Sequence, residues 1–171
     1  MTPFVTEALS REHDRTAFRS GVDALDRYLR ELALQDIKRR VAGCFVALND
    51  ARAITGFYTL AATSVAVDAL PPELTKRLPR YPLLPAVLMG RLAVAVEYQG
   101  QGLGRALIFD AAIRTDRRGI GAFAIIVDAK DDRAVEFYRA NGFGLIPGES
   151  RRLFVPVATA LRGGGETNKR G

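Results

Sequence analysis

The mixed apolar and polar residues from Thr2 to Leu9 read as a short strand at the start of the chain. From Asp23 to Arg40 a helical period appears. Leu25, Leu29, Leu32 and Ile37 recur at near-helical spacing, and Lys38, Arg39 and Arg40 close the segment, where cations suit the negative end of a helix dipole. Gly43 is the expected stop. Cys44 to Leu48, a turn at Asn49-Asp50, and the β-branched and aromatic run Ala53 to Val67 predict a pair of strands. The proline-rich stretch Asp68 to Ala86 predicts a surface loop. It contains a short helix over Glu73 to Leu78 and a basic cluster of Lys76, Arg77 and Arg80.

Val87 to Val96 is a strongly apolar strand interrupted at Gly90-Arg91. It runs into Gln99-Gly100-Gln101-Gly102-Leu103-Gly104, and a helix is expected over Arg105 to Arg114. Ala122 to Val127 predicts a strand, Asp132 to Asn141 a helix ended by Asn141-Gly142, and Phe143 to Leu145 and Leu153 to Val157 the last strands. The glycine-rich polar residues from Gly163 to Gly171 predict a disordered tail. Strands interleaved with helices give an α/β class. The expected organisation is one domain over 1–161 followed by a tail over 162–171, without internal repeats.

With 171 residues, 48% of them hydrophobic, the chain can bury a core without disulfide staples, and its one cysteine cannot form an internal disulfide. No apolar run approaches the ~20 residues needed to cross a bilayer, and the charged start lacks the apolar stretch of a secretory signal. A cytoplasmic protein without a membrane partner is the expectation. The net charge of +6 fits either a polyanionic ligand or an ordinary basic surface, and motif context must separate the two. Cys44 lies in an apolar strand without a nearby histidine and reads as core rather than nucleophile. His13, the only histidine, has no cluster of carboxylates or cysteines around it in sequence, so no metal site is expected.

Glycines ahead of a helix let backbone N–H groups approach a phosphate, which the positive end of the helix dipole also attracts. Gly100, Gly102 and Gly104 suit that task. A Rossmann site would need this loop in the first strand–helix unit with GxGxxG spacing, and a Walker loop would need a following Gly-Lys-Ser/Thr. Neither holds.

Gln99-Gly-Gln-Gly102-Leu-Gly104 after an apolar strand resembles the acetyl-CoA motif (Q/R)xxGx(G/A) of GNAT N-acetyltransferases. Phe137-Tyr138-Arg139-Ala140-Asn141-Gly142-Phe143 resembles the family's second landmark, in the expected helix. SGVDALDRYLRELALQD, ITGFYTLAATSV, RYPLLPAVLMGRLAVAVEYQGQGLGRALIFDA and VDAKDDRAVEFYRANGF are similar to the branch of GNAT toxins in bacterial type II toxin–antitoxin pairs, which acetylate aminoacyl-tRNA. The similarity runs from about Arg11 to Val155. One departure is Ser20-Gly21, where that branch usually has Cys-Gly.

The resemblance implies an α+β GNAT fold: a mixed, mostly antiparallel sheet with a V-shaped splay, flanked by helices. It implies acetyl-CoA as cosubstrate. Backbone groups of Leu92, Ala93 and Val94 would pair with the pantetheine arm, and Gln99, Gly100, Gln101, Gly102, Leu103, Gly104 and Arg105 would hold the pyrophosphate. Tyr138 would be the catalytic proton donor to the departing thiolate, since a phenol with an ordinary pKa near ~10 stays protonated at neutral pH. No clear base stands out among His13, Glu97 and Asp131. Lys38, Arg39, Arg40, Lys76, Arg77, Arg80 and Arg91 are the cations expected to bind tRNA phosphates.

The implied function is a translation-blocking acetyltransferase toxin that modifies the α-amine of aminoacyl-tRNA, with a ribbon-helix-helix antitoxin as partner. Whether it forms a homodimer stays open. Two alternatives are a GNAT acting on a small amine or protein N-terminus, and a non-catalytic nucleic-acid or antitoxin-binding module. The basic loop disfavours a cationic small substrate, and the unbroken glycine loop with Tyr138 disfavours the module.

Overall fold

The computed structural model describes residues 4–78 and 80–166. Thr2 and Pro3 of the expected first strand, Pro79 of the basic loop and residues 167–171 of the expected tail lie outside the described residues. Seven strands form one sheet in the order β1-β2-β3-β4-β5-β7-β6: β1 (Val5–Ala8), β2 (Gly43–Leu48), β3 (Ile54–Ala66), β4 (Leu83–Val94), β5 (Ala124–Asp128), β6 (Gly144–Leu145) and β7 (Arg152–Pro156). The β1–β2, β2–β3, β5–β7 and β6–β7 pairs are antiparallel, whereas β4 and β5 are parallel with Ala86 opposite Ala124. Helices α1 (Asp23–Arg27), α2 (Ala33–Lys38), α3 (Pro72–Thr75), α4 (Leu103–Arg117), α5 (Asp132–Ala140) and α6 (Val157–Glu166) complete the fold. This is the mixed, mostly antiparallel α/β architecture expected.

The chain forms two compact units, one from the residues up to Ala61 with Met89–Ala111, the other from Ala62–Leu88 with the residues from Ala112 onward. In the first, Leu29, Ala33, Cys44, Val46 and Phe57 form a core with at most 1% exposure, and Phe18 meets Phe57 edge-on at 5.6 Å. In the second, Ala124 and Ile126 of β5 are fully buried among Leu84, Ala86, Ile146 and Phe154.

Several boundaries differ from the sequence reading. The first helix is α1 and α2 joined by a π-helical turn at Tyr28–Leu32, which carries both Tyr28 and Leu29 into the core. It ends before Gly43, because Arg40 already takes the left-handed conformation at φ 60°. Strand β4 starts at Leu83 rather than Val87. Leu84 and Ala86 point inward while Pro85 points outward, and the Pro85 carbonyl still accepts the Phe123 N–H at 2.8 Å, so the proline does not exclude a strand. The strand ends at Val94, and Val96, expected as its last residue, instead opens a 3₁₀ turn at Val96–Tyr98. The segment from Arg162 to Glu166, expected as disordered tail, is helical. Buried Val157 anchors the start of α6, and its N–H donates to the Phe123 carbonyl, so the helix runs on into the glycines.

Candidate functional site

All ten residues expected to hold acetyl-CoA lie in the first unit. Gly100 and Gly102 sit in the exposed loop ahead of α4 with φ of 75° and 85°, a backbone region that only glycine enters without cost. A Cβ at either would meet nothing within 4 Å, so conformation, and not lack of space, demands glycine there. The loop opens a 15-residue helix whose first turn holds no acidic residue, and Arg105 is exposed within that turn. Unpaired N–H groups, a positive dipole end and a cation therefore meet at one exposed place, the donor set a pyrophosphate requires.

Three of the expected contacts are refined by the geometry. Leu103 is 5% exposed, so its side chain belongs to the core and only its backbone faces the loop. The Gln101 amide donates to the Glu97 carbonyl at 3.0 Å. The Gln99 amide donates to the Ser20 and Val94 carbonyls at 2.7 and 2.9 Å, a tie across 79 sequence positions that no local pattern signals. On β4, Ala93 is buried and Leu92 and Val94 are half-buried.

Tyr138 lies in the second unit, near the end of α5, at 9% exposure. Its ring meets Phe137 and Phe143 edge-on, each at 5.2 Å. Burial alone pushes its phenol up to about 12. Asp131 starts this helix as its N-cap, its carboxylate accepting the Ala134 N–H at 2.8 Å, so it is structural rather than a base. His13 is also committed: Nδ1 accepts the Ser10 N–H at 3.0 Å, which leaves the proton on Nε2, 2.9 Å from Glu7. Glu97 is exposed beside a notch of about 230 Å³ that Phe18, Ile54, Thr55 and Tyr98 line. Cys44 is 1% exposed and burial raises its thiol to about 12, which fits a core residue.

Of the expected phosphate-binding cations, Lys38, Arg39 and Arg40 are exposed at the end of α2, and Lys76, Arg77 and Arg80 are exposed around α3 in the other unit. Arg91 differs: it is half-buried, with its guanidinium over the ring of Tyr28. Sequence reasoning missed Asp26, buried at 6% and accepting from both the N–H and the Oγ of Ser20. The one available sign was a serine just ahead of an acidic helix start. Among the described residues, no group of three or more His, Cys, Asp or Glu side chains could hold a metal ion, and no helix is long and apolar enough to cross a membrane.

A family profile described as acetyltransferase (GNAT) domain matches residues 40–144, which include the glycine loop and Tyr138. The chain belongs to this family, and by class it is an acetyl-CoA-dependent acetyltransferase. The tRNA-acetylating toxin of Mycobacterium tuberculosis is 38% identical to it over 154 residues, covering 89% of this chain and 91% of the relative. The structure of AtaT complexed with acetyl-methionyl-tRNAfMet matches with a TM-score of 0.82 at 27% identity, covering 91% of this chain and 96% of that one. AtaTR bound with AcCoA matches with a TM-score of 0.77 at 26% identity, covering 92% and 95%.

Proposed function

We propose that the protein transfers acetyl from acetyl-CoA to the α-amine of aminoacyl-tRNA in the cytoplasm. It would thereby act as a toxin whose partner is an antitoxin of ribbon-helix-helix type. The observation that carries this reading is the 38% identity, along 89% of the chain, to a tRNA-acetylating toxin. The loop from Gln99 to Arg105 takes the pyrophosphate through backbone N–H groups and the start of α4, and the backbone of Leu92 to Val94 pairs with the pantetheine amides. The exposed cations Lys38, Arg39, Arg40, Lys76, Arg77 and Arg80 take phosphates of the tRNA, and half-buried Arg91 adds a directed guanidinium.

Acyl transfer forms the bond from the amine nitrogen to the acetyl carbon, breaks the bond from that carbon to sulfur, and moves one amine proton to the thiolate. The electron-withdrawing ester of an aminoacyl-tRNA keeps much of its amine neutral, so a strong base is not demanded. Tyr138 gives the sulfur a hydrogen bond as negative charge develops there. Burial raises its phenol to about 12, so it stays protonated at neutral pH and is available as the donor, and the proton released by the amine completes the balance.

Labelled acetyl-CoA offered with charged tRNA, uncharged tRNA and polyamines tests the reading. Label on charged tRNA alone is the expected result, with binding that weakens steeply as salt rises. Label on polyamines would point to a small-amine acetyltransferase, and label on nothing to a binding module; either result refutes the proposed substrate.

A further inference from the structure

The glycine loop has almost no packing of its own. Gly100 and Gly102 lack side chains, and a Cβ at either would meet nothing within 4 Å. Its geometry is therefore set by the Gln101 amide, which donates to the Glu97 carbonyl at 3.0 Å, and by its two ends. At the far end buried Leu103 seats the first turn of α4. At the near end stands Gln99, whose Nε2 donates to the Val94 carbonyl at the end of β4 and to the Ser20 carbonyl in the segment before α1.

That segment is itself held firmly. The Val96 N–H donates to the Arg19 carbonyl at 2.8 Å, so two successive peptide units are tied to the turn that leads into the loop. Ser20 donates its N–H and its Oγ to one carboxylate oxygen of Asp26, at 2.9 and 2.6 Å, and its Oγ accepts the Val22 N–H at 3.2 Å. Ser20 and Asp26 are each 6% exposed, so water cannot readily replace a lost partner. Asp26 lies in α1, where a carboxylate near a helix start is favoured by the dipole.

We propose that Gln99 is a positioning residue for acetyl-CoA: through its amide it fastens the start of the phosphate loop to Ser20 and, by way of Asp26, to α1. This rests on reading the loop as the pyrophosphate site. The side chain acts on the cosubstrate only through the N–H groups that it keeps aimed, because loop order paid in advance is not paid on binding. The position needs a donor that reaches two carbonyls, which a glutamine or an arginine supplies and a methionine of similar length does not.

Acetyl-CoA and acetyl-pantetheine share the thioester and the pantetheine arm, and only the first carries phosphates. Binding of each to the full chain is measured for wild type, Gln99→Met, Gln99→Arg and Ser20→Ala, with thermal melting to verify folding. Gln99→Met is expected to weaken acetyl-CoA about tenfold, raising its KM while kcat at saturation is kept, and to leave acetyl-pantetheine unchanged. Gln99→Arg should restore most of the loss. Ser20→Ala, which leaves the amide in place but loosens its anchor, should weaken acetyl-CoA about threefold and serves if Gln99→Met does not fold. Parallel weakening of both thioesters, an unchanged preference for acetyl-CoA, or no rescue by Gln99→Arg overturns the proposal. If wild type binds the two equally, the pyrophosphate reading itself fails and the positioning role with it.

Discussion

The guanidinium carbon of Arg91 lies 3.6 Å above the centre of the Tyr28 ring, whose hydroxyl donates to Asp36 at 2.8 Å. Burial, reinforced by Asp36 and opposed by Arg91, lifts the Tyr28 phenol above its ordinary value. A cation over an aromatic face is held by the ring quadrupole. Arg91 is thus a fixed group on β4, unlike the solvated cations that follow α2.

Arg91→Ala should lower stability by about 0.5–2 kcal/mol in urea denaturation, because the stack is half removed from water. Arg91→Lys should recover only part of this, since an ammonium cannot lie flat on the ring. Equal stability of all three proteins would mean that the stack contributes nothing.

Tyr138→Phe should leave the fold intact, since the ring contacts with Phe137 and Phe143 remain, while acetyl transfer falls by roughly 10²–10⁴. With the phenol pushed up to about 12, deprotonation of Tyr138 cannot produce a falling limb in the rate between about pH 7 and its ordinary value near ~10. A falling limb in that range that disappears in Tyr138→Phe would contradict its assignment as a buried donor.

Glu7 accepts two bonds from Arg52, at 2.9 and 3.0 Å, and one from His13, and these hold its carboxyl at about 2 against an ordinary 4.5. A carboxylate held low in the folded chain contributes stability above its unfolded value. That contribution disappears as pH falls from 4.5 towards 2. The difference in Tm between wild type and Glu7→Gln should therefore be largest above this window and shrink through it. A difference that stays constant across the window would show that the ion pair has no linkage to folding.

Gly102→Ala places a Cβ on a backbone at φ 85° but against no neighbour, so the cost is strain of about 1–2 kcal/mol without a clash. Gly56→Ala is different in kind. Its Cβ would stand 3.0 Å from the Ala93 carbonyl oxygen and 3.0 Å from a Leu107 methyl, and backbone cannot yield, so a loss of about 1–3 kcal/mol is expected from overpacking. Gly102→Ala should also reduce the thermal stabilisation conferred by acetyl-CoA, because its strain falls on the loop backbone itself. Stabilisation by acetyl-CoA that is unchanged in Gly102→Ala would refute the assignment of the loop.

Most of the architecture was legible because its causes are local. A turn at Asn49-Asp50 beside a β-branched and aromatic run identified β2 and β3, helical spacing identified α1 with α2, and Asn141-Gly142 marked the end of α5. The phosphate loop was legible for the same reason: a left-handed backbone at 100 and 102 asks for glycine whatever surrounds it. Prolines hid the start of β4, since a missing N–H looks like the end of a strand until the partner strand shows that the carbonyl is what is used.

What the sequence determined by itself, then, is the order of elements, the glycine loop and the resemblance that points to Tyr138. Only the tertiary structure decided that the Gln99 amide is committed to Ser20, that Arg91 rests on Tyr28 and that His13 is committed to Glu7. The reason is physical: backbone conformation is set by nearest neighbours, whereas a long-range hydrogen bond or ring stack exists only once folding has brought distant segments together and removed the water that would have served instead.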